Sequence, residues 1–147
     1  MVGDCSLTVN GILDNYLNFI KENNHFKMNN NQVIELATPF IDNFGDNINL
    51  IIKQEGNKVK ISDDSYFIWN LEAHGLNVAK NNSKRLQLLR SIIDYSNINF
   101  DEKTYELYKI VSPKNVGQGI HEMTEALNRI SDLMFLNQAS VKSIFTE

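Results

Sequence analysis

The stretch Ile48 to Ser62, INLIIKQEGNKVKIS, limits what this chain can fold into more than any other. Ile48, Leu50 and Ile52 fall on one side of an extended backbone, and Asn49, Ile51 and Lys53 on the other. That is the period of a strand buried on one face. Glu55-Gly56-Asn57-Lys58 interrupts it. Gly56 takes positive φ without a Cβ clash and Asn57 tolerates it, so the chain reverses tightly there. Val59 and Ile61 resume the alternation, with Lys58, Lys60 and Ser62 outward. The result is a β-hairpin whose lysines Lys53, Lys58 and Lys60 would blunt an exposed edge.

The flanking segments supply the rest of the fold. Ser6 to Glu22 reads as a helix, with Val9, Ile12, Tyr16, Phe19 and Ile20 on one side and Leu13 and Leu17 widening the stripe. Ser6 or Thr8 is placed to cap it. Asn23 to Asn31 reads as a polar linker. Gln32 to Ile41 reads as a strand, with Pro39 at an edge, a bulge or the strand's end, because proline donates no ladder hydrogen bond. Asp42 to Asn47 is a loop of turn-forming side chains. Ser62-Asp63-Asp64-Ser65 precedes a short helix, Tyr66 to Leu71, and Gly75 suits a left-handed C-cap. Ser83 caps a further helix to about Tyr95. Ile98 to Phe100 and Thr104 to Val111 form a second hairpin around Asp101-Glu102-Lys103, which Pro113 ends. Val116 to about Ala139 is the longest helix, with a seam at Ile120, Met123, Leu127, Ile130 and Met134. The order α-β-β-β-α-α-β-β-α segregates helices from antiparallel hairpins. That predicts an α+β fold, a two-layer sandwich in which helices pack on an antiparallel sheet made of a β-meander plus a hairpin. The 147 residues suffice for a single domain over 1–147.

A net charge of −4 and an isoelectric point near 5.4 argue against nucleic acid as a partner, since sequence-independent binding needs a basic face. One cysteine, Cys5, cannot form an internal disulfide, which favours a reducing, cytoplasmic setting. The opening residues MVGDCSLTVNG have no basic start and no apolar core, so they do not read as a signal peptide. The longest aliphatic run, Leu50 to Ile52, is far too short to span a membrane.

The residues that bear chemistry are few. Asp42, Asp46, Asp63 and Asp64 flank the meander. Convergent on one divalent cation, they would suit phosphodiester cleavage, which makes a metal-dependent nuclease the alternative reading. Each also has a local use: Asp42 and Asp46 in turn hydrogen bonds, Asp63 or Asp64 as a helix cap. The one acid-x-Lys triplet, Asp101-Glu102-Lys103, lies in a turn, not on a strand. His25, His74 and His121 have no zinc-ligand spacing, and His121 and Glu125 stand one helical turn apart. Cys5 has no positioned base. Gly117-Gln118-Gly119 reads as a helix entry, so no cofactor is expected. Lys80, Lys84, Arg85 and Arg90 make a local basic cluster. Tyr66, Phe67 and Trp69 share a helix too short to hide all three, which leaves Trp69 as a candidate contact residue.

Three stretches also carry a resemblance. Pro39-Phe40-Ile41-Asp42, then Asp46 opening an apolar strand, then Ser62-Asp63-Asp64-Ser65 leading into a helix resemble the domain-of-unknown-function family 1828. Ser65 stands where the family usually has glycine. His121, Ala126 and Asp132-Leu133 are similar to that family's closing helix. The element order is also similar to the secretion-chaperone-like fold. The family resemblance implies a bacterial prophage or mobile-element setting and states no activity. The expectation is a non-enzymatic protein-interaction module that binds a host or defence protein, with self-association through the sheet or the C-terminal helix.

Overall fold

A computed structural model describes residues 7–75 and 83–134. Helix α1 (Val9–Asn23) leads into β1 (His25–Met28), β2 (Ile34–Ile41), β3 (Asn47–Glu55) and β4 (Lys58–Ser62). Helices α2 (Tyr66–Ala73) and α3 (Lys84–Ser96) follow, then β5 (Asn99–Phe100), β6 (Leu107–Val111), a 3₁₀ turn at Pro113–Asn115, and α4 (Val116–Met134). The strands form one antiparallel sheet in the order β1-β2-β3-β4-β6-β5. The fold is α+β.

The central hairpin forms as the alternation requires. Glu55 pairs with Lys58, leaving Gly56 and Asn57 as a two-residue loop in which Gly56 takes φ +62°. Ile48, Leu50 and Ile52 are buried toward the helices together with Leu36 and Ile61. The 3₁₀ turn and the cap hydroxyls sit where local chemistry places them. Thr8 Oγ1 accepts from Gly11 N at 3.0 Å, and Ser83 Oγ accepts from Leu86 N at 3.0 Å. Gly75 follows α2 with φ +81°. Pro39 lies in a register shift between Ala37 and Ile41, the bulge that a missing N–H favours.

Three features differ from the expectations. The supposed linker contains β1, in which Phe26 faces Leu36 and Met28 faces Ile34 across the ladder. Asn29 Oδ1 then accepts from Asn31 N and Val33 N, building the turn into β2. The element order is therefore α-β-β-β-β-α-α-β-β-α. The second hairpin is shorter than Thr104 to Val111 implies. Tyr105 takes φ +66° and Asp101 Oδ1 accepts from Lys103 N, so pairing starts only at Leu107. The third difference is α1, which adds no buried residue to the core.

The core lies between the sheet and α2, α3 and α4. Phe67, Ile68 and Leu71 enter it from α2, and Leu86, Leu89 and Ile92 from α3. Met123, Leu127 and Ile130 of the α4 seam are buried, with Ile120 at its margin. The side chain of Met134 and the stretch to Ala139 lie outside the described residues, as do Ser6, Cys5 and Lys80. Gly119 lets α4 approach the sheet: a Cβ there would stand 2.6 Å from Ile61 Cδ1. The buried Lys109 joins three elements, donating to Asn97 O at 2.9 Å and pairing with Glu122 at 3.1 Å.

Candidate functional site

The loop between β2 and β3 is held by its own first residue. Asp42 Oδ1 accepts from Phe44 N at 2.8 Å and from Asp46 N at 3.1 Å. Its second oxygen is buried with no hydrogen-bond partner among the described residues. Asn43 reaches α4, where its N and Nδ2 both donate to Ser131 Oγ, at 3.0 and 2.8 Å. Phe44 meets Phe67 edge-on, with centroids 6.4 Å apart, and lies 4.5 Å from the His74 ring. Asp46 accepts from the Tyr66 hydroxyl at 2.7 Å. The loop thus bolts α2 to α4.

Asp63 serves a different junction. Oδ1 accepts from Ser65 N and Leu107 N, each at 3.0 Å, and Oδ2 accepts from Phe67 N at 3.0 Å. The carboxylate caps α2 from two residues before the cap position and ties it to β6. Burial pushes its pKa up to about 6, against the three amide donors that pull it down. Beside it, Ser62 Oγ donates to Glu106 at 2.6 Å, and Lys60 pairs with Glu106 at 2.9 Å. Asp64 is exposed, with its backbone at φ +57°.

The four aspartates therefore divide. Asp42 and Asp46 share one turn, Asp63 faces buried backbone at β6, and Asp64 faces solvent. Among the described residues, no three His, Cys, Asp or Glu side chains are grouped to hold a metal ion. His121 and Glu125 stand 3.9 Å apart along α4, and Arg90 pairs with Glu102 at 2.8 Å.

The outer face of α2 is the prominent feature of this end. Trp69 is 61% exposed and Tyr66, one turn before it, 43% exposed. Their neighbours Phe67, Ile68 and Leu71 are buried, so the helix is fixed from below. Tyr66 is fixed from the side as well: its hydroxyl donates to Asp46 and accepts from Asn70 Nδ2 at 3.2 Å. Burial, and then the Asp46 carboxylate, push its pKa up to about 12, so the hydroxyl stays a neutral donor. Of the two rings, Tyr66 is thus held in place, while Trp69 stands exposed on the fixed helix.

A second apolar surface is also present. It comprises the face of α1, the helix-side residues Phe26 and Met28 of β1, and Phe40. A groove of about 690 Å³ runs between α1 and α4, with Tyr16, Phe19, Phe26 and Phe40 among its lining residues. The stripe on α1 was legible; that none of its residues is buried was not.

A family model described as Domain of unknown function DUF1828 matches residues 38–130. The match takes in the Asp42 loop, α2 and most of α4, and leaves out α1 and β1. No curated protein and no solved structure gives a significant match. No helix among the described residues is long and apolar enough to cross a membrane.

Proposed function

The chain belongs to the DUF1828 family, and we propose that it is a non-enzymatic protein-interaction module that docks a partner on the outer face of α2. The observation that carries this is Trp69, a large aromatic side chain 61% exposed on a helix whose opposite face is wholly buried. Exposed tryptophan and tyrosine on a rigid support are the residues that dominate contact energy, because burying them gains area at small entropic cost. The support here is the Asp42 loop, which clamps Tyr66 through Asp46. Three of the four aspartates are engaged in backbone or hydroxyl hydrogen bonds, which favours a fastening role for them over catalysis. The partner we propose is a host or defence protein met in a prophage or mobile-element setting, inside the cytoplasm.

The test is capture from a host lysate on immobilised wild-type chain and on Trp69→Ala. Trp69 adds little to the core, so the variant should melt within about 0.5 kcal/mol of wild type. The expected result is a discrete protein held by wild type and lost with Trp69→Ala. Equal capture by both, or none by either, contradicts the reading.

A further inference from the structure

Among the described residues, no helix covers β1, and α1 buries none of its own residues. α4 packs against β3, β4 and β6, while β1 is exposed along its whole length. Phe26 and Met28 pair with Leu36 and Ile34, so they face the helix side, yet they are 59% and 61% exposed. Meanwhile α1 has no buried residue, although Ile12, Tyr16, Phe19 and Ile20 line one of its faces. A lone 15-residue helix is marginal in water and is ordinarily held by packing of its apolar face.

α1 borders this groove through Tyr16, Phe19 and Ile20 but cannot fold across it. Only Asn24 separates α1 from β1, and it is extended, with φ −111° and ψ 117°. One extended residue spans about 3.5 Å, whereas folding back means rising one layer, on the order of 10 Å. Helix-to-strand connections that reverse use about 2–6 residues. The junction is also pinned, because Asn24 N and Nδ2 both donate to Ile20 O, at 3.2 and 2.8 Å. The α1 face and the groove beside it stay open among the described residues, and each is complementary to the other's counterpart on a second copy.

We propose that two copies pair through α1, each helix seating in the groove between α1 and α4 of the other, over Phe26 and Phe40. Such a contact is isologous and closes as a two-fold dimer. The area is adequate. A standard interface removes about 800 Å² per partner. Seven apolar residues of α1, each 37–83% exposed, together with Phe26, Met28 and Phe40, present a surface of that order. The helix suits its own kind, since Asp14, Lys21 and Glu22 are its only charges and no block of like charge opposes association. This dimer does not depend on Trp69, and the two surfaces are separately removable.

Sedimentation equilibrium on the full chain decides the matter, with Phe19→Lys and Ile12→Ala as variants and Ile110→Lys as a control on the opposite sheet face. Wild type and the control should sediment at twice the 16.9 kDa chain mass. Phe19→Lys should weaken the dimer about 30-fold or more, and Ile12→Ala should weaken it in the same direction. Ile12→Ala truncates a side chain that is 54% exposed and leaves the buried core untouched, so it reports on the interface even if the lysine variant fails to fold. A wild-type monomer at about 100 μM, where even a weak dimer of about 10 μM dissociation constant would assemble, overturns the proposal. So does a dimer that neither α1 variant weakens. A monomer whose α1 amides resist hydrogen exchange would also overturn it, and would assign the groove to other residues of the same chain.

Discussion

The Asp63 carboxylate accepts the Leu107 amide hydrogen at 3.0 Å, joining the start of α2 to the start of β6 through one side chain. The same group accepts from Ser65 N and Phe67 N, so its removal orphans three amides, two of them in buried hydrogen bonds. An ordinary cap is worth about 1 kcal/mol, and a buried unsatisfied donor costs about 1–3 kcal/mol. Asp63→Ala should therefore cost about 2–4 kcal/mol in urea unfolding, clearly more than a surface cap such as Thr8→Ala.

Asp63 also gives stability a pH dependence of unusual sign. Its pKa in the folded chain is pushed from 3.8 up to about 6 by burial. The folded state thus holds the proton more tightly than the unfolded state. Between these two values the folded chain binds more protons, so this group's contribution falls as pH rises and is flat above about 6. The unfolding free energy of wild type relative to Asp63→Asn should fall as pH rises across that window, by roughly 3 kcal/mol at most. Paired chemical melts at pH 4, 5, 6 and 7 measure it.

Ser65 follows Asp64 into the left-handed region, at φ +62°, and its side chain makes no cap hydrogen bond. A residue with a Cβ pays about 1–2 kcal/mol there, partly offset by the greater freedom glycine loses on folding. Ser65→Gly should stabilise the chain by about 0.5–1 kcal/mol, read as a rise of a few degrees in melting temperature.

Leu127, 1% exposed at the centre of the α4 seam, should cost about 2–5 kcal/mol as Leu127→Ala. A thermal melt without loss would place α4 outside the core.

Much of this fold was legible because its strongest signals are local. The alternation Ile48-Leu50-Ile52, the Gly56-Asn57 reversal, the Ser83 cap and the seam through Leu127 each specify one element regardless of what lies elsewhere. β1 escaped because Phe26 and Met28 are only two apolar residues among asparagines, and pairing with β2 makes them a strand. The short β6 turns on Tyr105 at φ +66°, which no propensity of tyrosine indicates. The stripe of α1 was read correctly as an apolar face, but periodicity tells that a face exists and not what it meets. Asp42 and Asp63 were legible as turn and cap formers; Asp46 holding the Tyr66 hydroxyl was not. Asp63 reaching β6 was not, because 44 residues separate it from Leu107.

The central claim is that the chain acts by contact through the outer face of α2. A photo-crosslinking residue placed at Trp69, and for comparison at Lys53 on the outward side of β3, tests it in the producing host. A discrete covalent adduct with one other protein from position 69, absent from position 53, is the predicted result. No adduct from 69, or the same adducts from both positions, would contradict the account.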